Sequence, residues 1–176
     1  MPPPEPQPSR LRVAHLNPRQ PTQFALTPDA AARAAIAAEL DLLDLPRLEF
    51  TGRIQAAGSD SWHLTGQMRA KVVQPCVVTL KPVRSTLSEP VERHYTPHTT
   101  QPAADEIEMP DDTIEPLGQF IDLAAVMIEA LALALPEYPR ADGAALPEDG
   151  THPAADDDRQ RPFAALGRLL GRDDSD

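Results

Sequence analysis

The sequence predicts an α+β domain: an antiparallel sheet of about four or five strands packed by two main helices, with disordered proline-rich and acidic tails. Three observations predict it. Residues 47–72 alternate apolar and polar side chains with a period of two. Two stretches, one rich in alanine and one in leucine and alanine, run at helical spacing on either side of the alternating region. Many of the 21 prolines lie near the ends, against only 8 glycines in the whole chain, so the ordered part is shorter than the 176 residues. The expected division is a tail over 1–9, a single domain over 10–140, an acidic linker over 141–160 and a short apolar segment over 161–172.

Taken in order, Leu11 to Leu16 predicts a short strand. Thr27 reads as a helix N-cap, with Pro28 at the first helical position and Asp29 near the positive helix end. Ala32, Ile36, Leu40 and Leu43 fall on one face, with Arg33, Asp41 and Asp44 mostly off it, and Pro46 is the expected stop. Leu48, Phe50, Gly52, Ile54 and Ala56 then alternate with Arg47, Glu49, Thr51, Arg53 and Gln55. A Gly-Ser-Asp turn follows at 58–60. Alternation resumes with Leu64, Gly66, Met68, Ala70 and Val72 against His63, Thr65, Gln67, Arg69 and Lys71. The pair predicts an antiparallel hairpin with one face buried.

Pro75 separates the hairpin from Cys76–Lys81, and Val83 to Tyr95 predicts a further strand in which Pro90 marks an edge or a bulge. Thr96 to Glu115 is polar, acidic and proline-containing, and reads as a loop. A second helix is expected over Asp122–Leu135, capped by Asp122 and stopped by Pro136 and Pro139. It is apolar almost all round, which predicts a central buried helix, with Glu129 at its wet edge. No internal repeat is present.

Several function classes are excluded or disfavoured. A single cysteine, Cys76, rules out an intramolecular disulfide framework and a four-cysteine zinc site. The proline-rich start has no apolar core of a signal peptide, and the apolar run Ile121–Leu135 is interrupted and too short to span a membrane, so a cytoplasmic protein is expected. There is no glycine-rich phosphate loop and no dinucleotide fingerprint. Ser61 and His63 lack a nucleophile-elbow pattern. Cys76, between Pro75 and Val77-Val78, sits in an apolar strand setting expected to raise a thiol pKa. Cys76, His94 and His98 make a poor ligand set without a second cysteine. No catalytic residue, no metal and no cofactor is therefore expected.

Charge gives the best chemical candidate. The net charge is −11, yet residues 47–98 carry seven basic and four acidic side chains, whereas 99–176 carry five and eighteen. If the hairpin holds, Arg47, Arg53, Arg69 and Lys71 project from the face opposite the core, with Lys81 and Arg84 extending the set. Cations at about 7 Å intervals along a strand suit successive phosphates. Trp62 and Tyr95 are the nearby candidates for base stacking. The second candidate is the C-terminal stripe of Phe163, Leu166, Leu169 and Leu170, which either docks into a partner or folds back on its own domain.

Three segments, in order, resemble one family. Val73-Gln74-Pro75-Cys76-Val77-Val78-Thr79-Leu80-Lys81-Pro82-Val83 is similar to the Q-x-C-V-V-T-L-x-P-V segment of alphaproteobacterial YceD-type proteins. Glu115-Pro116-Leu117, Ile121-Asp122-Leu123 and Glu129 to Arg140 resemble its second signature. Arg161-Pro162-Phe163-Ala164-Ala165-Leu166 resembles its closing N-P-F-A-x-L stretch. Two departures stand out: Thr79 occupies the place of the second cysteine in the C-x-R-C of many members, and Ala124-Ala125 replace the Gly-Glu that would complete a capping box after Asp122. The resemblance implies a non-enzymatic factor for accumulation of large-subunit ribosomal RNA. Its partners would be that RNA or its precursor, or a basic ribosomal or rRNA-processing protein recruited by the C-terminal segment, with neither DNA nor membrane involved.

Overall fold

A computed structural model of the chain describes residues 9–97 and 113–145. The chain divides after Asp142, and the fold belongs to the first unit. Its elements run β1 (Arg10–Arg12), β2 (Thr22–Leu26), α1 (Ala30–Glu39), β3 (Asp44–Ala57), β4 (Ser61–Pro75), β5 (Pro82–Thr96), β6 (Ile114–Pro116), β7 (Phe120–Asp122) and α2 (Leu123–Ala134). The fold is α+β as expected, but the main sheet is mixed. Its order is β2-β3-β4-β5-β6, with β6 parallel to β5 and the other pairs antiparallel. A separate two-stranded ribbon pairs β1 with β7.

The hairpin forms where the alternation places it. Ile54 faces Leu64, Phe50 faces Met68 and Leu48 faces Ala70 across β3 and β4. These side chains are buried on the inner face with Phe24, Val72, Val91 and Tyr95. Helix α1 packs on β3 through Ile36 and Ala37, and α2 packs on β4 and β5 through Leu123, Val126, Met127 and Leu131. All of these side chains join one apolar cluster. Among the described residues, no helix covers the other face of the sheet.

Gly52 and Gly66 face one another in the middle of this sheet. They leave space that two rings fill: Phe24 lies over Gly52, Phe50 lies over Gly66, and the ring centroids are 4.9 Å apart. Glycine weakens a strand by backbone entropy, and here the aromatic pair recovers the contact area.

Several boundaries differ from the sequence reading. Of the first expected strand, Leu11 to Leu16, only Leu11 and Arg12 are extended, and Val13–His15 turns as a single 3-10 turn. Asp29, not Thr27, caps α1, its carboxylate accepting from the Ala32 N–H at 2.8 Å. The helix ends at Glu39, well before Pro46. Asp41 adopts a left-handed φ of 53° and the Leu42 N–H bonds back to the Ala37 carbonyl at 2.8 Å, which closes the helix C-terminus. Pro46 lies inside β3, next to the irregular pairing between Asp44 and Arg47, where a missing N–H is tolerated. Leu43 consequently leaves the helix face and is exposed.

Pro90 lies in β5 opposite Gln67, on a stretch where β4 is the only neighbour among the described residues. Asp122 caps α2 as expected, accepting from the Ala125 N–H at 3.1 Å. Yet α2 is not central: with one layer of helices on one sheet face, its far side is open, and Leu133 is 77% exposed. At its start, the Ser9 carbonyl accepts from the N–H groups of Leu123 and Ala124 at 2.9 and 3.3 Å, and Arg10 pairs with Asp122 at 3.2 Å and lies over the Phe120 ring. No described helix is long and apolar enough to cross a membrane.

Candidate functional site

Side chains directly opposite one another on an antiparallel ladder share a face. The register therefore defines the outer face of the sheet. Arg47 stands opposite Lys71, Glu49 opposite Arg69, and Arg53 between Gln23 and Thr65. Lys71 faces Thr86, and Arg84 faces Val73. Five of the six basic residues singled out in the sequence thus share the uncovered face, and all five are exposed. The sixth, Lys81, is exposed in the β4–β5 turn and belongs to no strand.

These groups are not evenly spread. Arg47, Arg69, Lys71 and Arg84 gather toward the β4–β5 turn, with Lys81 just beyond. Arg53 stands six residues along β3 from Arg47, about 20 Å away at strand spacing. Arg47 is also engaged: its guanidinium donates to Glu49 at 2.8 Å, which holds the Glu49 carboxyl below its ordinary range and raises Arg47. Between Arg53 and the cluster lies a shallow dish of about 590 Å³, wide open to solvent and lined by Gln23, Ala25, Thr51, Thr65 and Gln67. Trp62 and Tyr95, the candidate stacking groups, are buried on the inner face and are withdrawn from that role.

At the other end of β4 the outer face changes character. His63 stands opposite His94, and their rings stack 4.2 Å apart within 6° of parallel. Glu92, two residues from His94 on the same face, brings one carboxylate oxygen to 2.7 Å from His63 Nε2 and 3.5 Å from His94 Nε2. The sequence offers His94 with Cys76 and His98 as its ligand set. His98 lies outside the described residues, and Cys76 lies past the far end of β4, on the order of 40 Å of strand away. Parity along the strands was the signal that could have joined His63, Glu92 and His94, once the β4–β5 register is known.

Cys76 is buried at the first position of the turn. Its Sγ accepts from the N–H groups of Val78 and Thr79 at 3.4 Å and of Ala141 at 3.3 Å. Hydrogen bonding from Thr79, then from Ala141, pulls the thiol down to about 6, against its burial. This overturns the expectation of a raised thiol: the Thr79 side chain, then the backbone N–H groups around the sulfur, supply donors that an apolar strand would lack. In the same turn Leu80 adopts a left-handed φ of 58° and is 77% exposed.

Glu129 is exposed at the edge of α2 and also paired. Arg93 of β5 donates to it at 3.0 Å and lies 3.5 Å from Glu115 of β6. Arg93 itself is mostly covered, so it fastens helix and edge strand to the sheet and is not a surface cation. The C-terminal candidates Phe163, Leu166, Leu169 and Leu170 lie outside the described residues.

A family model described as "Large ribosomal RNA subunit accumulation protein YceD" matches residues 64–170, a span that opens in β4 and takes in β5, β6, β7 and α2. No curated protein and no solved structure matches the chain.

Proposed function

The chain belongs to the YceD family, and from that premise we propose that it is a non-enzymatic accessory factor in large-subunit ribosomal RNA accumulation that binds the RNA or its precursor through the outer face of the sheet. The observation that carries this reading is the gathering of Arg69, Lys71 and Arg84, with Arg47 beside them, on a face that no described helix covers. Cross-strand neighbours about 5 Å apart and same-strand neighbours about 7 Å apart match the spacing of successive phosphates. Trp62 and Tyr95 are buried on the inner face, so the contact is with phosphates and depends on shape and charge more than on base sequence. The acidic segment after residue 98 carries the opposite charge and limits indiscriminate binding.

The test is binding of the purified full chain to large-subunit rRNA fragments over a series of salt concentrations. The triple variant Arg53→Ala, Arg69→Ala, Lys71→Ala is expected to weaken binding and to flatten the log–log salt dependence by about two to three units. Unchanged affinity and slope in the triple variant removes the sheet face from the mechanism.

A further inference from the structure

We propose that His63, Glu92 and His94 form a binding site for a first-row divalent transition metal ion of the zinc class. This site is separate from the basic cluster and is built by the β4–β5 register. That register sets the two imidazoles face to face on adjacent strands and puts the Glu92 carboxylate against both Nε2 atoms. The three donor atoms lie within 4.8 Å of one another. A tetrahedral ion with bonds of about 2.1 Å needs its ligands about 3.4 Å apart. The Glu92–His94 separation of 3.5 Å already meets this, and the Glu92–His63 separation of 2.7 Å needs to open by less than an ångström. Rotation of Glu92, whose side chain is 57% exposed, supplies that movement. Because the Nε2 lone pairs of the stacked rings lie in nearly parallel planes, the His94 ring, 44% exposed, must also turn out of the stack to share one ion with His63.

The backbone that carries the donors is held firmly. His63 lies in the continuous β4 ladder between β3 and β5. His94 pairs with β4 on one side and with β6 on the other, its N–H donating to the Thr113 carbonyl at 2.7 Å. Donors on rigid strands lose little freedom on binding an ion. Without an ion, the same groups form only an exposed imidazole–carboxylate contact, which contributes about 0–1 kcal/mol.

The donor set selects the ion. Two imidazole nitrogens with a single carboxylate favour zinc, cobalt, nickel or copper over magnesium and calcium, which prefer oxygen ligands throughout. The His94 side chain is 44% exposed, so the remaining coordination positions open to solvent. Cys76, at the far end of the hairpin, takes no part, and no thiolate ligand is expected.

The experiment uses the untagged full chain after chelator treatment. Zn2+ binding is measured by calorimetry, and Co2+ is followed by its visible absorption. One equivalent is expected to bind, with cobalt bands of nitrogen and oxygen ligation and no sulfur charge-transfer band. His63→Ala and His94→Ala should each weaken Zn2+ binding by at least about tenfold. Glu92→Gln should weaken it less, and Cys76→Ser and His15→Ala should leave it unchanged. Should His63→Ala fail to fold, His94→Gln at the more exposed position carries the same test. Absence of binding in the unaltered chain, or affinity unchanged by both histidine substitutions, overturns the proposal.

Discussion

Replacing Gly52 by alanine is the sharpest test of how this sheet is packed. An added Cβ at Gly52 would stand 2.7 Å from the Gly66 Cα and 2.7 Å from the Phe24 ring, and closer still to the Thr65 carbonyl. Ordinary carbon–carbon contact lies at about 3.5–4.0 Å, so the neighbours must retreat by about 1 Å. The ring belongs to a buried aromatic pair, and the other two obstacles are backbone of β4, which the ladder fixes. Overpacking of this kind costs about 1–3 kcal/mol, and the high end applies where backbone has to move. Alanine recovers about 0.5–1 kcal/mol of unfolded-chain entropy, so the net loss is expected at about 2–2.5 kcal/mol.

Gly58 supplies the contrast. Its φ of +85° strains any other residue, but nothing lies within 4 Å of its added Cβ. Gly58→Ala therefore costs only the left-handed penalty of about 1 kcal/mol, with no repacking of the core. Urea unfolding separates the two, through the midpoint and through the loss of Phe24–Phe50 packing in the near-ultraviolet circular dichroism. A Gly52→Ala chain as stable as the parent, with unchanged aromatic signal, refutes the argument that the paired glycines exist to seat the rings.

Three further outcomes are expected. Arg93→Met should lower stability by about 1–2 kcal/mol, because Glu115 and Glu129 lose their shared cation. Both partners are wet enough to hold the loss at that level, and an unchanged urea midpoint would show that Arg93 fastens nothing. Leu80→Gly should stabilise the chain by about 1 kcal/mol by relieving a left-handed leucine, and a lower melting temperature would contradict that. Burial, helped by Glu115, raises the Tyr95 phenol from 10.0 to about 12. The native state then keeps a proton that the unfolded chain releases. This contribution is whole below pH 10, falls as the pH rises and is lost by about 12; Tyr95→Phe should flatten that part of the stability profile, and an unaltered slope would rule it out.

Long periodic segments were legible in the sequence and short ones were not. Alternation through Arg47–Ala56 and His63–Val72 defined the inner face, and hence the outer basic face, because a period of two leaves only one choice of side. Strands β6 and β7 have three residues each and show no period, β1 overlaps its predicted strand only at Leu11 and Arg12, and β2 stands alone without its neighbours to reveal it. At α1 the signals of Thr27, Pro28 and Asp29 overlap, and only the Ala32 N–H decides among them. The apolar circumference of α2 suggested burial on all sides, whereas Leu133 shows that composition does not count the layers around a helix. The His63–His94 contact escaped notice because it depends on a pairing register fixed by the turn at Cys76–Lys81, which no local pattern reports.

The β1–β7 ribbon has a consequence for the order in which the molecule assembles. The β3–β4 and β4–β5 hairpins join neighbours in sequence and can zip from their turns. Pairing Arg10 with Asp122 instead closes a loop of roughly a hundred residues for three pairs of residues and two bonds from Ser9 to the start of α2. Such a latch forms late and opens early. Amide hydrogens of Leu123 and Ala124 should accordingly exchange with solvent long before those of the β3–β4 ladder, so the N-terminal residues govern how long the first turn of α2 stays closed.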